Sequence, residues 1–242
     1  MNASVEPADV PGAWVVRRDG MDQSCVDLDD PTALHFDYVR RIGSLLDAAA
    51  PAGEALRVLH VGGAGLTLPR FVAATRPGSR QVVLEPDEEL TALVRERLPL
   101  PRRSGISVRP VDGRTGLGEV RNGWAQAVVV DAFDGAEVPT DLVDAGAWQE
   151  YARVLEPGGL LAVNLRDRAP FPRVRAAVAG ALAAWDDVDR LAAGLETATR
   201  RGRREGNVLL VAGGRPAPAA DAGYSWWRGP QVLSVFGGGS TG

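Results

Sequence analysis

Five short apolar runs, each broken off by glycine or a carboxylate and each followed by a helix-like stretch, restrict what this chain can fold into. They are "LRVLHVGG" (56–63), "RQVVLEP" (80–86), "ISVRPVDG" (106–113), "AQAVVVDAF" (125–133) and "LLAVNLRD" (160–167). Between them lie "LPRFVAATR" (68–76), "DEELTALVRERL" (87–98), a short segment after Gly113, and "DLVDAGAWQEYARVL" (141–155), which "EPGG" ends. The acidic first turn of the second of these suits a helix N-terminus. The runs are continuously apolar instead of alternating, as expected when helices cover both faces of a sheet. The predicted fold is α/β, a doubly wound, mostly parallel, Rossmann-like sheet.

After the helix-like 172–185 the order changes. "DRLAAGLETA" and "NVLLVAGG" flank the arginine-rich "TRRGRREG" and predict an antiparallel C-terminal hairpin that closes the sheet edge. A reversed final strand resembles the class I S-adenosylmethionine-dependent methyltransferase type of sheet. The first fifty residues stand apart from the alternation. "AWVVRRDGMDQSCVDLD" (13–29) predicts a hairpin turning at Asp19-Gly20, and "DPTALHFDYVRRIGSLLDAA" (30–49) predicts a helix with proline in its first turn. Three regions follow: an N-terminal hairpin and helix extension over 1–50, packed over the mouth of the sheet; a nucleoside-binding catalytic domain over 51–214; and a tail over 215–242. The aromatic "YSWWRGPQVLSVFGG" predicts that part of the tail packs, and the final "GGGSTG" is expected to be flexible or an expression remnant.

Composition narrows the function classes. A formal net charge of −4 argues against a phosphate-binding surface. The group Arg200, Arg201, Arg203 and Arg204 is expected to be a solvated loop. One cysteine and two histidines exclude an intramolecular disulfide and leave too few soft ligands for a zinc site. Cys25 is expected to be a small buried residue and His60 a satisfied core or pocket-wall residue. No run is long enough to cross a membrane and the N-terminus lacks signal-peptide regions, so a cytoplasmic protein is expected.

In an open α/β sheet, ligands bind beyond the carboxyl ends of the strands. The residues to weigh there are Gly62, Gly63 and Gly65 after the first run, Glu85 after the second, Asp112 with Gly113 after the third, and Asp131 with Asp134 after the fourth. Glu85 follows Gly62 by 23 positions, close to the ~20 of a ribose-binding carboxylate. No "GxGxxG" is present, which disfavours a pyrophosphate ligand. A nucleoside bearing a sulfonium cation suits an acidic crevice better.

"VLHVGGAGLTLPRF", "VVLEPD", "PVDGR", "VVVDAFDG" and "RVLEPGGLLAVNL", in this order and spacing, resemble the spermidine synthase (polyamine aminopropyltransferase) family over roughly residues 14 to 167. The resemblance implies transfer of an aminopropyl group from decarboxylated S-adenosylmethionine to a small-molecule amine, without a metal. It implies ribose binding by Glu85, adenine binding by Asp112, and a base and a polyamine carboxylate at Asp131 and Asp134. Gln23 and Tyr38 fall where the family carries its own hairpin and a tyrosine-containing helix. A homodimer is compatible with the resemblance; neither a nucleic acid nor a membrane is expected as partner. Two departures stand out: "GGAGLTLPR" lacks the family's donor-binding aspartate, and Arg40 stands where an acid is expected. Donor and acceptor are therefore both open. A methyltransferase or other S-adenosylmethionine-dependent enzyme, in which Arg40 or Arg70 meets the donor carboxylate, and a non-catalytic nucleoside binder are the alternatives.

Overall fold

The structure, a computed structural model, describes residues 2–135, 137–214 and 223–237. The chain divides into two compact units, Met1–Gly113 and Arg114–Gly242.

The first unit opens with β1 (Ala3–Pro7), β2 (Ala13–Arg18) and β3 (Met21–Asp27), an antiparallel sheet in the order β1-β2-β3. The hairpin turns at Asp19 and Gly20, both at positive φ, as the sequence predicts. Next come α1 (Asp37–Ala48), β4 (Arg57–Val61), α2 (Thr67–Thr75), β5 (Arg80–Leu84), α3 (Glu88–Arg97) and β6 (Ile106–Arg109). The strands β4, β5 and β6 pair in that order, all parallel. Helix α1 starts at Asp37, later than predicted. Asp27 and Asp30 accept the amides of Asp29, Asp30 and Thr32, and these turns hold the preceding residues out of a helix.

Val5, Val16 and Val26 of the N-terminal sheet share a core with Leu66, Val83 and with Leu90, Val94 and Leu98 on and after α3. Strand β3 reaches the loop after β4 through polar contacts as well. Gly65 N donates to Ser24 Oγ at 3.0 Å, and Thr67 Oγ1 donates to the Cys25 carbonyl at 3.1 Å. A Cβ on Gly65 would lie 2.8 Å from Ser24 Cβ and 2.9 Å from Val26 Cγ2. Glycine is thus required here by the approach of the hairpin. Cys25 is buried, as expected, and burial raises its thiol pKa.

The helix α4 (Gly113–Glu119) leads into the second unit, with β7 (Ala125–Val130), α5 (Ala145–Val154), β8 (Leu155–Asp167), α6 (Pro172–Trp185), β9 (Ala192–Glu196), α7 (Thr197–Arg200), β10 (Gly206–Gly213), β11 (Tyr224–Arg228) and α8 (Pro230–Phe236). Strands β7 and β8 are parallel, whereas β10 runs antiparallel between β8 and β9. The reversed strand is therefore inserted within the sheet. The edge is β11, from the aromatic tail segment, paired antiparallel to β9. The rest of the tail, 215–222 and 238–242, lies outside the described residues. Strand β8 runs through "EPGG" because Gly158, at φ +84°, lets the chain turn within it.

Tryptophans set the helix packing of this unit. Trp148 of α5 is fully buried, its Nε1 donating to the Val143 carbonyl, and its indole occupies the space that a side chain at Gly180 of α6 would need. At the edge, Tyr224 Oη donates to the Gly194 carbonyl at 2.8 Å, and the Trp227 ring stands edge-on to Phe236 at 5.5 Å. Among the described residues no helix is long and apolar enough to cross a membrane.

His60 lies inside β4, fully buried, and its Nε2 donates to Gln81 Oε1 at 2.9 Å. Gln81 in turn donates to the Pro69 carbonyl. Burial lowers the His60 pKa from 6.5 to about 4. Above pH 6.5 the associated stability is fully present. As pH falls towards 4 the unfolded chain binds a proton that the folded chain refuses, and about 3 kcal/mol is lost. The urea-unfolding free energy should therefore fall more steeply between pH 6.5 and 4 than that of His60→Gln; equal slopes would contradict this account. Gly65→Ala should lower stability by about 1–3 kcal/mol, measured in the same way at pH 7, because the hairpin must shift to admit a methyl group.

Candidate active site

The glycine turn after β4 is built from backbone conformations that side chains rarely adopt. Gly62 has φ +90°, and Ala64 and Leu66 are also left-handed, at +39° and +61°. The result is a row of amides turned towards β5. Glu85, 8% exposed at the end of β5, collects them: its Oε2 accepts Gly63 N at 2.9 Å and Ala64 N at 3.2 Å, and its Oε1 accepts Asp87 N at 3.1 Å. Gly62 N donates to the Leu84 carbonyl. A Cβ on Gly63 would come within 2.8 Å of Val83 Cγ1, so this turn lies directly on β5. Asp87 caps α3 by accepting Leu90 N. The structure thus brings Gly62, Gly63 and Glu85 into one constellation.

Other residues of this unit take different positions. Gly65 is bound up with the hairpin, through Ser24 and not through its neighbour Gln23, whose amide donates to the Met21 carbonyl at 3.4 Å. Tyr38, in the first turn of α1, has its ring 6.2 Å from that of Phe36. Asp112 is exposed beyond β6, next to the buried Gly113 that starts α4. The two arginines considered as carboxylate partners are both engaged. Arg40 pairs with Asp37 at 2.6 Å. Arg70 is buried and donates to the carbonyls of Gly65, Leu98 and Pro99, its pKa pulled down by burial to about 10.

In the second unit, Asp131 directly follows β7. Its Oδ1 accepts Asn164 Nδ2 at 2.9 Å from the neighbouring β8. Asn164 is 1% exposed and its Oδ1 has no hydrogen-bond partner among the described residues. Asp134 is exposed at a tight turn in which it exchanges backbone hydrogen bonds with Glu137. Sequence reasoning passed over Asn164 and Ser24. An asparagine inside "LLAVNL" was the available signal, since a buried amide in a parallel strand needs a partner on the next one. Among the described residues no group of histidine, cysteine and carboxylate side chains could hold a metal ion.

No family model matches the chain. In sequence it is 28% identical over 144 residues to a polyamine aminopropyltransferase of Chromobacterium violaceum; the match covers 59% of this chain and 53%, about half, of that relative. In structure it is similar to a probable spermidine synthase from Corynebacterium glutamicum, with a TM-score of 0.87 and 23% identity over 98% of this chain and 92% of the other. It is also similar to a spermidine synthase in complex with the transition-state analogue AdoDATO, with a TM-score of 0.61 and 14% identity over 96% and 84% of the two chains. The chain therefore has the α/β fold of the spermidine synthases, and it resembles the polyamine aminopropyltransferases in sequence over more than half its length.

Proposed function

We propose that the protein transfers an aminopropyl group from decarboxylated S-adenosylmethionine to an amine. The observation that carries this reading is Asp131, a carboxylate at a strand end, oriented by a buried asparagine that keeps an unused acceptor atom. Glu85 is assigned to the ribose. A carboxylate has about four accepting positions; three amides occupy three of them, and Oε1 keeps room for a hydroxyl. Asp112 and Gly113 are assigned to the adenine end, and Gln23 and Tyr38 to the rim. Asp134 is assigned to the far end of the acceptor.

The chemistry needs little beyond positioning and one proton transfer. An amine is protonated at neutral pH and must lose a proton before it can attack. Asp131, its carboxylate held in direction by Asn164 Nδ2, takes that proton and so directs the lone pair. The nitrogen then bonds to the propyl carbon as the carbon–sulfur bond breaks. The electron pair stays on sulfur, which leaves as a neutral thioether and needs no acid. The cationic product amine is stabilised by the Asp131 carboxylate once that has passed its proton to water.

A carboxylated donor would need a cation. Arg40 and Arg70, which the sequence offers, are held by Asp37 and by backbone carbonyls. This favours the decarboxylated donor over a methyltransferase reading.

Calorimetry should show tighter binding of decarboxylated S-adenosylmethionine than of the carboxylated form. Glu85→Gln should weaken methylthioadenosine binding by about 10–100-fold. Asp131→Asn should lower turnover by about 100-fold or more with methylthioadenosine affinity nearly intact. Unchanged turnover in Asp131→Asn would remove the proposed base.

A further inference from the structure

The N-terminal sheet β1–β3 forms its own ladder, separate from the sheet that carries β4, β5 and β6. Side-chain contacts tie it to the glycine turn after β4, and they fall on the same residues that build the Glu85 constellation. The turn presents three successive amides, at Gly63, Ala64 and Gly65. The first two go to Glu85 Oε2, and the third goes to Ser24 Oγ at 3.0 Å. One row of donors is thus shared between the end of β5 and the middle of β3.

Neighbouring contacts repeat the pattern. Beside Ser24, the Cys25 carbonyl accepts Thr67 Oγ1 at 3.1 Å, at the start of α2. At the end of β2, Arg18 approaches Asp87 at 3.7 Å, and Asp87 N is the donor to Glu85 Oε1. Leu66 shares its apolar cluster with Val16 and Val26. Left-handed conformations such as those of Ala64 and Leu66 persist only where the surroundings hold them. Glu85 holds this turn from one side and the hairpin from the other. A hairpin that moves away strips the Gly65 amide of its acceptor and frees the turn to relax.

We infer that Ser24 is a positioning residue for the nucleoside, and that hairpin docking and nucleoside binding are one coupled equilibrium. The inference rests on the nucleoside assignment of Glu85 in the aminopropyl-transfer reading, and adds the residue that shapes the turn beside that carboxylate. Ser24 acts through Gly65 and touches no reacting atom. Such coupling is reciprocal: the factor by which the docked hairpin raises nucleoside affinity is the factor by which the nucleoside favours docking.

The test uses the full chain and methylthioadenosine. With the nucleoside at about ten times its Kd, hydrogen exchange of the β2 and β3 amides should slow by about tenfold, because the hairpin opens only in nucleoside-free protein. Hairpin exchange that ignores the nucleoside overturns the inference. Ser24→Ala should weaken methylthioadenosine binding, and raise the KM for decarboxylated S-adenosylmethionine, by about 3–10-fold, with kcat within about twofold of the wild type. A merely structural role gives another pattern, since a smaller folded fraction lowers kcat at unchanged KM. That pattern, or wild-type values throughout, also overturns the inference. Should Ser24→Ala fail to fold, Thr67→Val removes the adjacent tie from the α2 side, with the same split expected and the same contrary results. Nucleoside binding without aminopropyl transfer would sink the parent reaction and leave the exchange and affinity measurements to decide this inference. Failure of methylthioadenosine to bind the wild type would overturn both.

Discussion

One carboxylate holds the turn after β4 in place. Glu85 accepts the amides of Gly63, Ala64 and Asp87, and so ties the end of β4, the end of β5 and the entry to α3 to a single side chain. A charge that is almost wholly buried is tolerable only when hydrogen-bond donors replace its water. Those donors exist because Ala64 and Leu66 accept left-handed backbone conformations that cost free energy. Strain and charge compensate each other, and the turn is fixed before any ligand arrives. Such preorganisation suits the positioning role proposed for Glu85.

The second unit solves a different problem. Asp131, as the proposed base, would have to stay available to a proton. Asn164 Nδ2 donates to it, and it stays partly exposed. Asn164 has the opposite character. It is buried, it donates one bond, and its carbonyl oxygen is left over. An unsatisfied buried acceptor costs roughly 1–3 kcal/mol, so Asn164 holds its place beside Asp131 at a cost to the fold.

Much of this architecture was legible because continuous apolar strands and carboxylate strand ends are strong signals. Gly62 and Gly63 could be picked out from their place at a strand end, and Glu85 from its spacing to them. What escaped was set by tertiary contacts. The strand β1, "ASVEP", is short and ends in proline, and its strand state depends on pairing with β2. Residues 30 to 36 have helical composition, yet two aspartates take the local amides and win. Gly65 reads like a ligand-facing glycine, but its lack of a side chain serves the docking of β3, a contact between segments about forty residues apart. The insertion of β10 between β8 and β9 was also hidden, because an antiparallel pair looks the same in sequence whether it closes an edge or fills a gap.

All 27 basic residues of this chain are arginine, so the same side chain has to serve as structural staple and as potential ligand. Engagement separates the two roles. Arg76, 1% exposed, donates to four carbonyls, those of Asp47, Ala50, Pro51 and Glu54, and so closes the segment after α1. Arg153 holds the carbonyls of Leu117 and Val120, and Arg175 those of Pro170 and Val235. A guanidinium has five donors in one plane and satisfies several converging carbonyls as no ammonium group could. Where such a fork is built into the fold its donors are used up, and it has nothing left for a ligand. Arg168, Arg200, Arg201 and Arg203 show the reverse: they are exposed, and their side-chain donors are unspent on the described residues.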